Sequence, residues 1–75
     1  MADTNIRVVF QGRLRAARKM RGLTQQQLGE QIGLPHSSIS HFERGSRTPT
    51  LNTLLRVAIA LKISTDYLLG IGEIF

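Results

Sequence analysis

The 75-residue sequence has no cysteine. That excludes a disulfide framework and a thiolate metal site, and it fits a reducing compartment. Only five acidic residues are present, a poor supply for the cleft of perturbed titratable groups that an enzyme needs. Long apolar runs are missing too. The longest, Val57 to Leu61, is closed by Arg56 and Lys62, far short of the roughly 20 residues that span a bilayer. Near the N-terminus, Asp3 and an apolar stretch no longer than "VVF" do not make a secretory signal. A cytoplasmic protein is expected, with a core only just large enough for one domain.

What the chain does have is positive charge. Ten Lys and Arg give a net +5, and half of these cations fall between Arg13 and Arg21. Such a bias predicts a polyanionic partner. A membrane surface would require a helix that is both basic and rich in large apolar residues, and none here is both. A solvated basic helix without a partner is the plain alternative.

Apolar residues recur with helical spacing, without strand-type alternation, repeats or low-complexity segments, which predicts an all-α domain. Phe10, Leu14 and Ala17 mark the inner face of a first helix, starting near Thr4 or Asn5 and stopping at Gly22. Its outer face carries Arg13, Arg15 and Lys19. Thr24 and Gln27 form a capping-box pattern for a second helix ending at Gly33. A third runs from about Pro35 to Arg44, a fourth from its cap Thr50 to Leu61, and a fifth follows the cap Ser64. Leu28, Ile32, Ile39, Phe42, Leu51, Leu54, Leu55, Ala58 and Leu61 are the expected core.

The third helix, within "LPHSSISHFERG", is two-faced. With His36 set at zero and 100° per residue, Ser40, Ser37 and His41 lie at about 40°, 100° and 140°, whereas Phe42, Pro35 and Ile39 fall at roughly 240° to 300°. The apolar side must pack inward, and the hydrogen-bonding side then faces out, with dimensions that suit a DNA major groove. Two helices joined at a glycine turn, the second polar outside, in a basic chain, form a helix-turn-helix pattern.

"LRAARKMRGLTQQQLGEQIG", "SSISHFERGSRTPTLNTLLRVAIAL" and "STDYLLG" make the chain resemble the phage repressor and Cro (lambda-repressor-like) family, from about Ile6 to Gly70. The resemblance implies a compact five-helix DNA-binding domain with helices 2 and 3 as the helix-turn-helix. It further implies a transcriptional regulator, by preference a repressor, that binds double-stranded DNA at a pseudo-palindromic operator as a homodimer. Such a dimer would place its two recognition helices about 34 Å apart in successive major grooves. His36, Ser37 and His41 match the family's base-contacting positions. Gln25, Ser38, Arg44, Arg47 and Thr48 match positions that approach the DNA backbone. Arg18 and Glu43 match an internal ion pair. Residues 1–70 are thus expected to form the DNA-binding domain, with a recognition helix at about 35–44. The short apolar tail 71–75 is either a dimer contact, helped by the segment from Tyr67, or the start of a linker. No cofactor, metal, small-molecule ligand or membrane contact is expected, and a bound regulator would associate with the nucleoid.

Other readings of the same residues carry less chemistry. Ser37 and His41 are one helical turn apart, but no acid is spaced to orient the histidine, so no catalytic residue is assigned. His36 and His41 are five residues apart, not the three or four that suit two metal ligands on one helix. Both histidines could lie at the surface without discriminating bases, and Gln25 could be an ordinary first-turn residue. At the level of the whole chain the alternative is an antitoxin or adaptor module that uses the same fold to hold a protein partner. Three departures from the family pattern stand out: Pro35 where a hydroxyl cap is common, Lys62 where glycine is frequent, and Gly29 where alanine is usual.

Overall fold

The helix ends follow local signals in the chain. The computed structural model describes residues 6–71, and the described residues form five helices and no strand: α1 (Ile6–Met20), α2 (Gln25–Ile32), α3 (His36–Arg44), α4 (Leu51–Leu61) and α5 (Thr65–Leu69). The expected start of α1 at Thr4 or Asn5 and the tail beyond Ile71 lie outside the described residues. At α2 the capping box is complete, Gln27 N donating to Thr24 Oγ1 at 3.0 Å and Thr24 N to Gln27 Oε1 at 2.8 Å. Thr50 Oγ1 accepts from Thr53 N, and Ser64 Oγ accepts from Tyr67 N. Each satisfies a donor that the first helical turn leaves unpaired.

Pro35 precedes α3 with φ −67° and ψ 155° and offers no side-chain cap. The proline is therefore the extended residue before the helix, and α3 begins at His36, one position later than the sequence pattern placed it. At the other end, the residue after each of α2 to α5 is left-handed: Gly33, Gly45, Lys62 and Gly70. Lys62, at φ 56°, is the only non-glycine with positive φ among the described residues.

The core draws on every helix. Phe10, Leu14 and Ala17 of α1 meet Leu28 and Ile32 of α2, Ile39 and Phe42 of α3, Val57, Ala58 and Leu61 of α4, and Leu68 of α5, all buried. Phe10 and Phe42 meet edge to face with ring centroids 6.4 Å apart, an orientation favoured by the ring quadrupoles. α3 packs against α1 and α2, while α4 packs against α2 and α5.

Two expected core residues are not in it. Leu51 is 85% exposed and Leu55 53%, and with Ile59 at 67% they form an uncovered apolar stripe on α4. Steps of four residues advance about 400°, so an i, i+4 series drifts about 40° per step around the helix. The buried series Leu54, Val57, Ala58 and Leu61 keeps to the side facing α2 and α5, Leu54 being partly covered. Leu55 and Ile59 drift off that side, and Leu51 lies at the first turn, where the neighbouring helices do not cover it.

Candidate nucleic-acid interface

The two-faced character of α3 holds in three dimensions. Ile39 and Phe42 are buried, His36, Ser37 and Arg44 are exposed, and Ser40 and His41 are half-buried. The structure thus brings His36, Ser37 and His41 to one outward surface. Ser38, expected near the DNA backbone, is only 8% exposed and lies on the inner side of α3. Arg47 and Thr48 are exposed in the loop after α3.

Beneath this surface, a chain of hydrogen bonds fixes how α3 sits on the other helices. Arg18 Nε donates to Glu43 Oε2 at 2.6 Å and Arg18 Nη2 to Glu43 Oε1 at 3.0 Å, a bidentate pair with both side chains largely buried. Arg18 Nη1 also donates to the Leu23 carbonyl at 2.7 Å. The hydrogen bond to Glu43, and then its charge, outweigh desolvation and raise the Arg18 pKa above the ordinary arginine value. A raised pKa contributes stability that is fully present below the unfolded-state value, so the guanidinium holds this pair together throughout the neutral range. Gln25 Nε2 donates to the same carboxylate at 3.2 Å. Gln25, the first residue of α2, is thereby tied to α3. Its backbone N–H is among the first-turn donors that an α-helix leaves unpaired, the kind that bind anions.

The basic run in α1 is used differently from a charged lawn. Arg13 Nη1 donates to the Tyr67 carbonyl at 3.2 Å, and its guanidinium carbon lies 4.5 Å from the centroid of the Tyr67 ring. Arg21 donates to the carbonyls of Leu61, at 2.6 Å, and Lys62, at 3.0 Å. Arg56 reaches the Ile32 carbonyl at 3.4 Å. In each case a cation meets the carbonyl-rich end of another helix, where the dipole is negative. Arg13, placed by the sequence pattern on the outer face of α1, therefore also holds α5 in place. Arg15 and Lys19 remain exposed.

One residue that the sequence reading did not single out belongs to this surface. Ser46 Oγ is 2.8 Å from His41 Nδ1, and Arg44 Nη2 is 3.3 Å from the same nitrogen. The signal was present in "HFERGS". A left-handed glycine after a helix closes a bond from the following N–H to the carbonyl five residues back, and here Ser46 N donates to the His41 carbonyl at 3.0 Å. Gly45 at φ 77° thus delivers Ser46 to His41.

No helix among the described residues is long and apolar enough to cross a membrane. Among the described residues no group of three or more His, Cys, Asp or Glu side chains is placed to hold a metal ion.

Comparison with known proteins converges on the same architecture. The family model described as Helix-turn-helix matches residues 14–68. The HTH-type transcriptional regulator ImmR of Bacillus subtilis is 39% identical over 62 residues, covering 83% of this chain and 49% of the relative. Repressor protein C2 of Salmonella phage P22 is 40% identical over 57 residues, covering 76% and 26%. The crystal structure of the P22 c2 repressor in complex with a synthetic operator superposes with a TM-score of 0.79 at 36% identity, covering 84% of this chain and 96% of that one. The restriction-modification controller protein C.AhdI from Aeromonas hydrophila gives a TM-score of 0.78 at 39% identity, covering 83% and 94%. The chain spans about half the length of the first curated relatives it matches. With more than half of its length matched by the family model and its five helices superposing on those structures, the chain belongs to the helix-turn-helix family.

Proposed function

We propose that the chain is a sequence-specific, double-stranded DNA-binding regulator of transcription, a repressor by preference, acting as a homodimer in the bacterial cytoplasm. The observation that carries the reading is the outward face of α3: His36, Ser37 and His41 are held together on a helix whose opposite face is locked into the core. In this reading those three residues read base edges in the major groove. Gln25, Arg44, Arg47 and Thr48 position the domain on phosphates, which fix register but carry little sequence information. Ser38, on the inner side of α3, is the weakest of the proposed backbone contacts. Arg18 and Glu43 set the angle of α3 and touch no DNA. One of the similar structures, that of the P22 c2 repressor, is a complex with a synthetic operator.

The dimer is proposed to form through α4. Leu51, Leu55 and Ile59 offer an apolar stripe to a second copy of the chain, on a helix that packs on α2 and α5, so docking there leaves α3 available. Tyr67 and Leu68, expected to contribute to a dimer, are turned to internal work: Tyr67 lies against Arg13 and Leu68 is buried. Ile71 of that expected segment is 74% exposed, and its residues 72–75 lie outside the described residues.

Selection of duplexes from a random pool at about 150 mM salt tests the reading, because non-specific attraction is weak there. An inverted repeat with half-sites about one helical turn apart is the expected outcome. Absence of any enriched motif overturns base reading and directs the search to a protein partner.

A further inference from the structure

Ser46 and Arg44 meet at a single atom, His41 Nδ1, and the chemistry of the three groups restricts which hydrogen bonds His41 can offer outward. A guanidinium donates only and never accepts. With Arg44 Nη2 3.3 Å from Nδ1, a hydrogen bond between them makes that nitrogen the acceptor, and a neutral His41 then carries its proton on Nε2. The Ser46 hydroxyl, 2.8 Å from the same nitrogen, is the nearer donor and shares the single lone pair of Nδ1 with Arg44. Its other available acceptor, the His41 carbonyl, lies at 3.3 Å. Ser46 is itself anchored through its N–H to that carbonyl at 3.0 Å, so the hydroxyl is delivered by backbone geometry and does not depend on a mobile side chain. One edge of the imidazole is therefore pinned by two neighbours, and the opposite edge presents an N–H.

We infer that Ser46 is a positioning residue for specificity. Together with Arg44 it holds the His41 ring with Nε2–H outward, so the recognition helix offers a donor there and favours guanine, whose major-groove edge carries two adjacent acceptors. The bases differ in this respect: guanine shows two adjacent acceptors, N7 and O6, whereas adenine adds an amino donor beside N7, thymine sets its one acceptor, O4, beside a methyl group, and cytosine shows only a donor. An imidazole free to exchange its proton between nitrogens, or to swing about its side-chain torsions, discriminates these edges poorly. The inference rests on the proposed reading of α3 as the base-reading helix. It goes beyond it in naming the hydrogen-bond polarity at His41 and a residue that controls it without touching a base.

Two measurements separate the inference from the reading beneath it. The first needs no DNA: nitrogen-15 spectra of the 75-residue chain at about pH 8, above the ordinary imidazole range. The wild type is expected to show an unprotonated Nδ1 and a protonated Nε2 on a ring with one side-chain rotamer. Ser46→Ala is expected to release the ring into exchange between rotamers and tautomers, and Ser46→Thr, which keeps the hydroxyl, to retain the wild-type signature. A wild-type proton on Nδ1, or a signature that Ser46→Ala leaves unchanged, overturns the inference. The second uses the duplex that the wild type selects, with each base pair replaced in turn. Ser46→Ala is expected to lose about tenfold of the preference for guanine at one position per half-site while preferences elsewhere hold, and Ser46→Thr to restore it. Equal loss at every position, or none at any, overturns the specificity role. If the spectra behave as expected but no duplex is selected, it is the DNA reading that fails, and the guanine preference with it.

Discussion

Lys62 stands at φ 56° and ψ 47° after α4, where a side chain with a Cβ is strained and glycine is not. Lys62→Gly is expected to be neutral or to stabilise by up to about 1 kcal/mol, read as a rise in the denaturation midpoint. A lower midpoint would show that the lysine side chain does something there that outweighs the strain. Gly29 behaves in the opposite way. A Cβ built on it would run into the backbone carbonyl oxygen of Leu34, so the turn into α3 is drawn tighter than one built around alanine. Gly29→Ala gains helix propensity of up to about 1 kcal/mol but must move backbone, and overpacking of this kind costs about 1–3 kcal/mol. A net loss of stability in thermal melts is expected. The sequence marked both positions as departures from a pattern. Whether the surrounding backbone had moved to accommodate them is a matter of packing that no single-residue signal carries. Ser46 was hidden for a related reason, since its partner is reached through the geometry of a helix end and not along a helix face.

Helix ends were the most legible elements, because caps are local chemistry. Thr24, Thr50 and Ser64 each announce a first turn, and glycine announces most of the last ones. The inner faces of α1, α2 and α3 were equally readable from spacing. α4 was not: its leucines and isoleucine spread over nearly half of the helix circumference, and only the positions of α2 and α5 decide which of them are covered. Nor could composition assign the arginines of α1, since the same cation serves a phosphate or a carbonyl. Arg21 is exposed, yet Arg21→Gln is expected to cost about 1 kcal/mol through the lost bonds to the end of α4. Arg15→Gln, also at an exposed position of α1 or its border, should stay within about 0.5 kcal/mol. Equal effects in a chemical denaturation series would reduce Arg21 to surface charge.

For the molecule as a whole, the uncovered stripe on α4 separates folding from assembly. At protein concentrations too low for a dimer, Leu55→Glu and Ile59→Glu alter exposed positions and should each leave the stability within about 0.5 kcal/mol of wild type. In sedimentation at micromolar concentration, the wild type is expected to be a dimer and the double variant a monomer, with weaker binding to an inverted-repeat duplex. A wild type that is monomeric both free and on DNA would remove α4 as an interface. The two faces of α3 were legible because apolar and polar residues alternate at helical spacing along it. The assembly of the molecule was not, because an exposed apolar stripe and a buried one are written in the same residues.

The arginine ties to helix ends also have a kinetic meaning. Arg21 reaches Leu61 across 40 positions of the chain, and Arg13 reaches Tyr67 across 54, whereas the caps close within a few residues. Local contacts are the ones a small helical domain assembles first, and closing long loops comes later. Bonds made after the transition state slow unfolding without speeding folding. Removing these guanidinium ties should therefore steepen the escape from the native state while the refolding rate stays nearly constant. The distant arginines act as latches on a structure that its helix caps have already drawn together.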